Sequence, residues 1–216
     1  MPTQTTKRRY LMSDADLKQK ADLVVNNVKR DLADFETRNI SASRLQQFET
    51  AIEAFANTST DEELRGLMNH HTAIKDDHAM AVQKAIRQLR NMAAIAYNGT
   101  GKYNTFGFEK ISRLSDSDLH RTMRRITKLA TLLLPDLAAQ GLSTNQIDNM
   151  VLLNQQLDDA IEALADTRTQ RDLQTLDRIN KGNALYAELS ILCSIGQTLY
   201  ADTNLAKYND YLVEGV

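Results

Sequence analysis

Apolar residues recur along this chain at intervals of three and four. Between residues 13 and 37 they fall at Leu17, Ala21, Val24, Val28, Leu32 and Phe35; between 115 and 139 they fall at Leu119, Met123, Ile126, Ala130, Leu133 and Leu137. Such spacing draws one apolar stripe down an α-helix, and no stretch sustains the alternation of a half-buried strand. Start signals stand where the stripes begin. Ser13 can cap the free N–H groups of a first turn, Asp16 follows at the third position, and Met12 and Leu17 bracket the cap as a hydrophobic staple. Ser115 has the same company in Asp118, Leu114 and Leu119, Ser41 is flanked by Ile40 and Leu45, and Ser143 by Leu142 and Ile147. Thr60 with Glu63 adds a capping box. The pattern predicts an all-α protein of six helices, near 13–37, 41–57, 60–98, 115–139, 143–160 and 162–200. Pro135 removes one N–H and should kink the last turn of the fourth.

The signals come twice. Met12-Ser13-Asp14-Ala15-Asp16-Leu17 returns as Leu114-Ser115-Asp116-Ser117-Asp118-Leu119, Asn39-Ile40-Ser41 as Gly141-Leu142-Ser143, and Lys102-Tyr103-Asn104 as Lys207-Tyr208-Asn209. The order is kept at an offset of about 102 to 105 residues. Asn39 and Gly141 share the place where a left-handed residue ends a helix. The expectation is therefore two three-helix repeats, 13–108 and 109–216, behind an arm at 1–12, packed with approximate twofold pseudo-symmetry as two domains or one. A period near 100 residues excludes the short solenoid repeats. Asn57–Thr60, carried over by the offset, places the break between helices 5 and 6 at Asp159–Glu162, where neither Gly nor Pro marks it.

Composition narrows the function classes. With 216 residues, 8 Gly and 2 Pro, the chain can bury a sizeable core and has few helix breakers. A net charge of −2 argues against general affinity for nucleic acid or anionic membrane. The single cysteine, Cys193, excludes an internal disulfide and a cysteine-rich metal site. No apolar leader is read at the start of the sequence and no run spans a bilayer, so a cytoplasmic protein is the default expectation.

Three groups could carry chemistry. His71 and His78, with His70 beside them, fall seven residues apart in register with Leu64, Ala85 and Met92. Imidazoles on such a seam are metal or proton-transfer candidates, but no Glu-x-x-His or His-Glu-x-x-His accompanies them. Arg121, Arg124, Arg125 and Lys128 share one helix face with His120 alongside, a candidate surface for anions or a partner unless acids such as Asp158, Asp159 and Glu162 neutralise it. Asn98-Gly99-Thr100-Gly101-Lys102 lacks phosphate-loop spacing and reads as a helix end. Two tyrosine motifs, Tyr97…Tyr103-Asn104 and Tyr200…Tyr208-Asn209-Asp210-Tyr211, follow the long helices and should cover the bundle ends. No nucleophile has a base beside it, and no cofactor motif is present.

The stretch Gly182-Asn183-Ala184-Leu185-Tyr186-Ala187-Glu188-Leu189, with Cys193, the closing Ala206-Lys207-Tyr208-Asn209-Asp210-Tyr211 and the Leu-Ser-Asp-x-Asp-Leu start at Leu114, resembles a group of uncharacterised bacterial all-helical proteins. The resemblance implies a bacterial, duplicated helical bundle and carries over no functional residue. The expectation for function is a non-catalytic interaction or structural protein, with a protein partner or a second copy of itself. The alternative is a small-molecule or metal carrier with a pocket between the repeats near His71 and His78.

Overall fold

A computed structural model of the chain describes residues 7–212. The described residues hold helices and no strand: α1 (Asp14–Arg30), α2 (Leu32–Glu36), α3 (Ala42–Ala56), α4 (Asp61–Tyr97), α5 (Gly101–Thr105), α6 (Asp116–Leu132), α7 (Leu134–Leu137), α8 (Thr144–Tyr200) and α9 (Leu205–Asp210). None is long and apolar enough to cross a membrane.

Local chemistry explains the starts. Ser13 accepts from the Asp16 N–H at 3.0 Å and Ser115 from Asp118 at 3.2 Å, while each serine hydroxyl donates to the same aspartate's carboxylate. Ser41 accepts from Arg44 N–H, and Ser143 from Gln146 N–H, whose side-chain oxygen accepts in turn from Ser143 N–H at 2.8 Å. The staple residues Ile40, Leu45, Leu142 and Ile147 are all buried. Asn39 and Gly141 adopt φ of 63° and 92°, the left-handed backbone that lets the chain leave one helix and enter the next.

The count of six helices needs correction. The first expected helix is interrupted at Asp31 and the fourth at Leu133, two residues before Pro135, so each is two segments. Short helices α5 and α9 follow the long ones. The expected break at Asp159–Glu162 does not occur, since α8 runs unbroken from Thr144 to Tyr200. Asn57–Thr60 is a run of helix-poor, cap-forming residues, whereas Asp159-Ala160-Ile161-Glu162 contains no residue that stops a helix. Local propensity overrides the offset there.

The chain divides into two compact units, one made of everything up to Asp61 together with everything from Arg171, the other of Glu62–Gln170. The first unit thus holds α1, α2, α3, the last thirty residues of α8, and α9. Its core is Leu17, Ala21, Val24, Val28, Phe35, Phe48, Ile52 and Phe55 closed by Leu185, Leu189, Leu192 and Tyr211. The second unit holds α4, α5, α6, α7 and the start of α8. Its core is Val82, Ile86, Leu89, Phe106, Leu119, Met123, Ile126, Leu137, Ile147, Met150 and Leu157. Each core is completed by a long helix from the other sequence half. The connection between α4 and α6 packs into the second unit, with Phe106, Phe108 and Ile111 buried. The part of the 1–12 arm within the described residues is docked: Tyr10 is buried, and Asn183 accepts from Arg9 N–H at 2.8 Å and donates to the Lys7 carbonyl at 3.0 Å.

Two glycines inside α8 are sites of close approach. A methyl at Gly196 would lie 2.3 Å from the Tyr211 ring, and one at Gly182 would lie 2.2 Å from the Tyr10 hydroxyl. Both tyrosines rest directly on helix backbone.

Candidate functional site

The amphipathic stripe of α6 turns Leu119, Met123, Ile126 and Ala130 into the core of the second unit, so the residues between them face outward. Arg121, Arg124, Arg125 and Lys128 are all exposed and surround an open depression of about 590 Å³ floored by Leu129. Arg121 reaches back to Asp118 at 3.0 Å. Arg125 is held differently, donating to the Phe106 carbonyl at 3.0 Å and the Gly107 carbonyl at 3.4 Å, and so staples the α5–α6 connection. Arg124 and Lys128 make no ion pair among the described residues. Among the described residues Asp158, Asp159 and Glu162 form no ion pair with these four cations. Asp158 lies 3.7 Å from His120 Nδ1, which also lies 3.3 Å from the Asn154 carbonyl. The candidate surface is therefore two free cations, one partly neutralised and one anchored, over an apolar floor. Its charge suits an anion or an acidic surface.

The histidines are less organised. His70 is exposed, while His71 and His78 are half-buried, and the His70 and His71 rings meet edge to face at 5.5 Å. Among the described residues no group of three or more His, Cys, Asp or Glu side chains is placed to hold a metal ion. Cys193 is buried at the core of the first unit, where burial pushes its thiol up to about 12, so it is not a thiolate at neutral pH.

Each tyrosine motif closes on an aspartate and a lysine. Tyr97 donates to Asp136 at 3.0 Å, and Lys102 pairs with the same carboxylate at 3.0 Å while lying over the Tyr97 ring. Tyr200 donates to Asp34 at 2.6 Å with Lys207 over its ring, and Tyr211 donates to Asp31 at 3.0 Å. Burial, then the Asp34 hydrogen bond, pushes the Tyr200 hydroxyl up to about 12. Burial and then Asp31 push the Tyr211 hydroxyl still higher. In each cluster the phenol stays protonated and donates to a carboxylate, which ties the end of a long helix to a neighbouring segment. The segment read as a helix end is one only at Asn98–Thr100, where Thr100 N–H bonds the Tyr97 carbonyl; Gly101 and Lys102 already open α5.

Sequence reasoning missed two cations that matter more to packing than the exposed stripe. Arg178, nearly buried, donates to Asp61 at 2.6 Å and to the Ser59 carbonyl at 2.9 Å, with its Nε 3.3 Å from Asp14. Lys75 pairs with Asp116 and Asp76, both at 2.6 Å, which raises its pKa. Asp14 and Asp116 were visible as a repeated pair of first-turn acids, and a cation about 103 residues apart on each long helix was the unused signal.

The chain matches no protein-family model, no curated protein and no solved structure.

Proposed function

We propose that this chain is a non-catalytic interaction protein, made by duplication of a three-helix unit of about 100 residues, and that the basic face of α6 receives an acidic surface of another protein. The observation that carries the reading is the open depression among Arg121, Arg124, Arg125 and Lys128, in which Arg124 and Lys128 stand exposed and unpaired. A solvated face normally has both signs interspersed, whereas here Asp118 offsets Arg121 alone and Arg124 and Lys128 are left without an acid.

Matched contacts support the duplication. Asp34, Tyr200 and Lys207 in the first unit correspond to Asp136, Tyr97 and Lys102 in the second. Asp14 with Arg178 corresponds to Asp116 with Lys75. Where the first unit buries the polar pair Asp31 and Tyr211, the second has Leu133 and Phe106 at the corresponding positions. Both partners change character together, as a buried hydrogen-bonded pair must, because either one alone would be left unsatisfied.

Under this reading the two units share a scaffold and differ in what they present. The counterparts of Arg121, Arg124, Arg125 and Lys128 are Gln19, Asp22, Leu23 and Asn26. Four cations at the places of one acid and three neutral residues support a role for the face that the fold does not require.

The test uses Arg121→Gln/Arg124→Gln/Lys128→Gln and leaves Arg125 intact because it staples the α5–α6 connection. Poly-L-glutamate serves as the acidic probe in fluorescence anisotropy at low and high salt. The wild type should bind at low salt and release at high salt, and the triple variant should bind about tenfold or more weakly, since each exposed pair contributes up to about 1 kcal/mol. Equal binding by the two proteins refutes the reading.

A further inference from the structure

The second unit carries another concavity, unrelated to the basic face. Two turns of α4, from Ala85 to Met92, and the first turns of α8 border a cleft of about 290 Å³. Its floor is apolar: Leu89, Leu142 and Met150 are buried, and Met92 is half-buried beside them. Its rim is a set of exposed carboxamides, Gln88, Asn145, Gln146 and Asn149. Asn145 and Asn149 are four residues apart and so point the same way from α8. Gln146 already uses its side-chain oxygen in the cap of α8, which leaves its NH₂ to donate. No charged side chain lines the cleft.

The first unit shows what this place looks like when it is shut. There Arg44 on α3 grips Glu188 on α8 in a two-pronged ion pair, Nε to Oε1 at 2.7 Å and Nη2 to Oε2 at 3.0 Å, and Phe48, one turn on along α3, is buried. The duplication proposed above, on which this comparison rests, sets Arg44 against Gln146, Glu188 against Ala85 and Phe48 against Met150. Loss of both ends of the clamp, together with the exchange of a ring for a thioether, leaves the second unit open where the first is closed.

We propose that this cleft is a binding site for a flat, uncharged heteroaromatic ring of the nucleobase class. The chemistry of the lining selects it. A charged ligand would find no counter-charge. A hydrocarbon would desolvate the carboxamides without giving them partners. A ring that both donates and accepts at its edge satisfies carboxamides, which do the same, and two methionines and two leucines offer an apolar, polarisable surface to its face. The volume sits at the lower end of small-molecule pockets, about 300 Å³, which suits one ring system and its substituent.

The experiment is an NMR titration of the full chain with adenosine, guanosine, cytidine and uridine, one at a time, following the side-chain NH₂ signals of Gln88, Asn145 and Asn149. At least one nucleoside should shift these signals saturably with a Kd below about 1 mM. The Ala85→Glu/Gln146→Arg variant, which installs the clamp of the first unit, should lose the binding at least tenfold. Asn145→Leu/Asn149→Leu, which changes only exposed rim positions, should lose it as well. Failure of all four nucleosides to shift the three side chains overturns the proposal, as does unchanged binding in the two variants. The melting temperature of the clamp variant reports separately on the duplication: it should equal or exceed that of the wild type. A drop, with nucleosides still bound by the wild type, would sink the equivalence of the two clefts and leave the site standing.

Discussion

Tyr211 and Asp31 offer the sharpest test of how this fold is held. The Tyr211 ring is fully buried on Gly196, and its hydroxyl donates at 3.0 Å to a carboxylate whose side chain is 1% exposed. Tyr211→Phe keeps the ring and removes the hydroxyl. A hydrogen bond to a buried charge contributes about 1.5–3 kcal/mol. Asp31 keeps Arg30 and Lys207, each at 2.7 Å, so the lower half of that range applies, and we expect a loss of about 2 kcal/mol. For a chain of this length that is a fall in melting temperature of about 4–8 °C, followed by circular dichroism. Asp31→Leu alone leaves the Tyr211 hydroxyl buried without an acceptor and should lose about as much. The double change Asp31→Leu/Tyr211→Phe removes both polar groups together, and under the proposed duplication it reproduces the Leu133 and Phe106 combination of the second unit. Its loss should therefore fall short of the sum of the single losses by about 1.5 kcal/mol or more. Arg30 and Lys207 do not upset the comparison, because both are substantially exposed and keep Asp210 and Asp34 as partners. Additive single effects would refute the reasoning. The same pair sets a pH dependence. Burial pushes the Asp31 carboxyl up, but Arg30, Lys207 and Tyr211 together hold it at about 2, against an ordinary 3.8. The folded pKa is the lower one, so the stabilisation is complete above about pH 5 and is lost as pH falls through 4 towards 2, by about 2 kcal/mol. Wild type and Asp31→Leu should differ less in melting temperature at pH 2 than at pH 6.

Gly196→Ala drives a methyl into the Tyr211 ring at 2.3 Å and should destabilise by about 1–3 kcal/mol, whereas Gly66→Ala, with open space around it, should stabilise by up to about 1 kcal/mol; urea midpoints distinguish them. Arg178→Leu removes the cation shared by Asp14, Asp61 and the Ser59 carbonyl and should lower stability by about 2–3 kcal/mol, while Arg178→Lys, the residue type found at Lys75, should lose less than half of that. Native Cys193 should resist an aromatic disulfide reagent at pH 8 and react fully in denaturant; fast reaction of the folded protein would contradict its burial.

The parts of this fold written in short-range chemistry were legible in the sequence. Ser13, Ser41, Ser115 and Ser143 cap helices because a hydroxyl beside free N–H groups needs no tertiary context. The stripes through Leu17 and Leu119 face cores because helical geometry puts them on one side. What depends on sequence-distant partners was not legible. The offset put a break at Asp159–Glu162, and only the absence of any stopping residue there argued against it. The assignment of each long helix to a unit with the other half's short helices is a choice between two packings that bury similar stripes, and the pattern is the same for both. The basic face was visible as a spacing, but whether Asp158, Asp159 and Glu162 pair with it is set by how α8 packs, which the spacing does not encode. The amide-rimmed cleft was not legible for a different cause: its rim joins Gln88 on α4 to Asn145, Gln146 and Asn149 on α8, more than fifty residues apart in sequence, and uncharged carboxamides leave no charge pattern to read.

The distribution of the first unit over both ends of the chain sets an order of events during synthesis. Ile52 and Phe55 share one core with Leu185 and Leu189, so α1, α2 and α3, which pack on one another, must wait for about 130 residues before their apolar faces are fully covered. At ribosomal speed that interval is about 7–26 s, long compared with helix formation and hairpin closure. The second unit is continuous in sequence, so it can close while the first still lacks its last helix. A chain stalled after Gln170 should therefore show a protease-resistant second unit and a labile beginning. For those seconds the newly made N-terminal helices are an exposed apolar surface, and whatever shields nascent chains meets this protein there first.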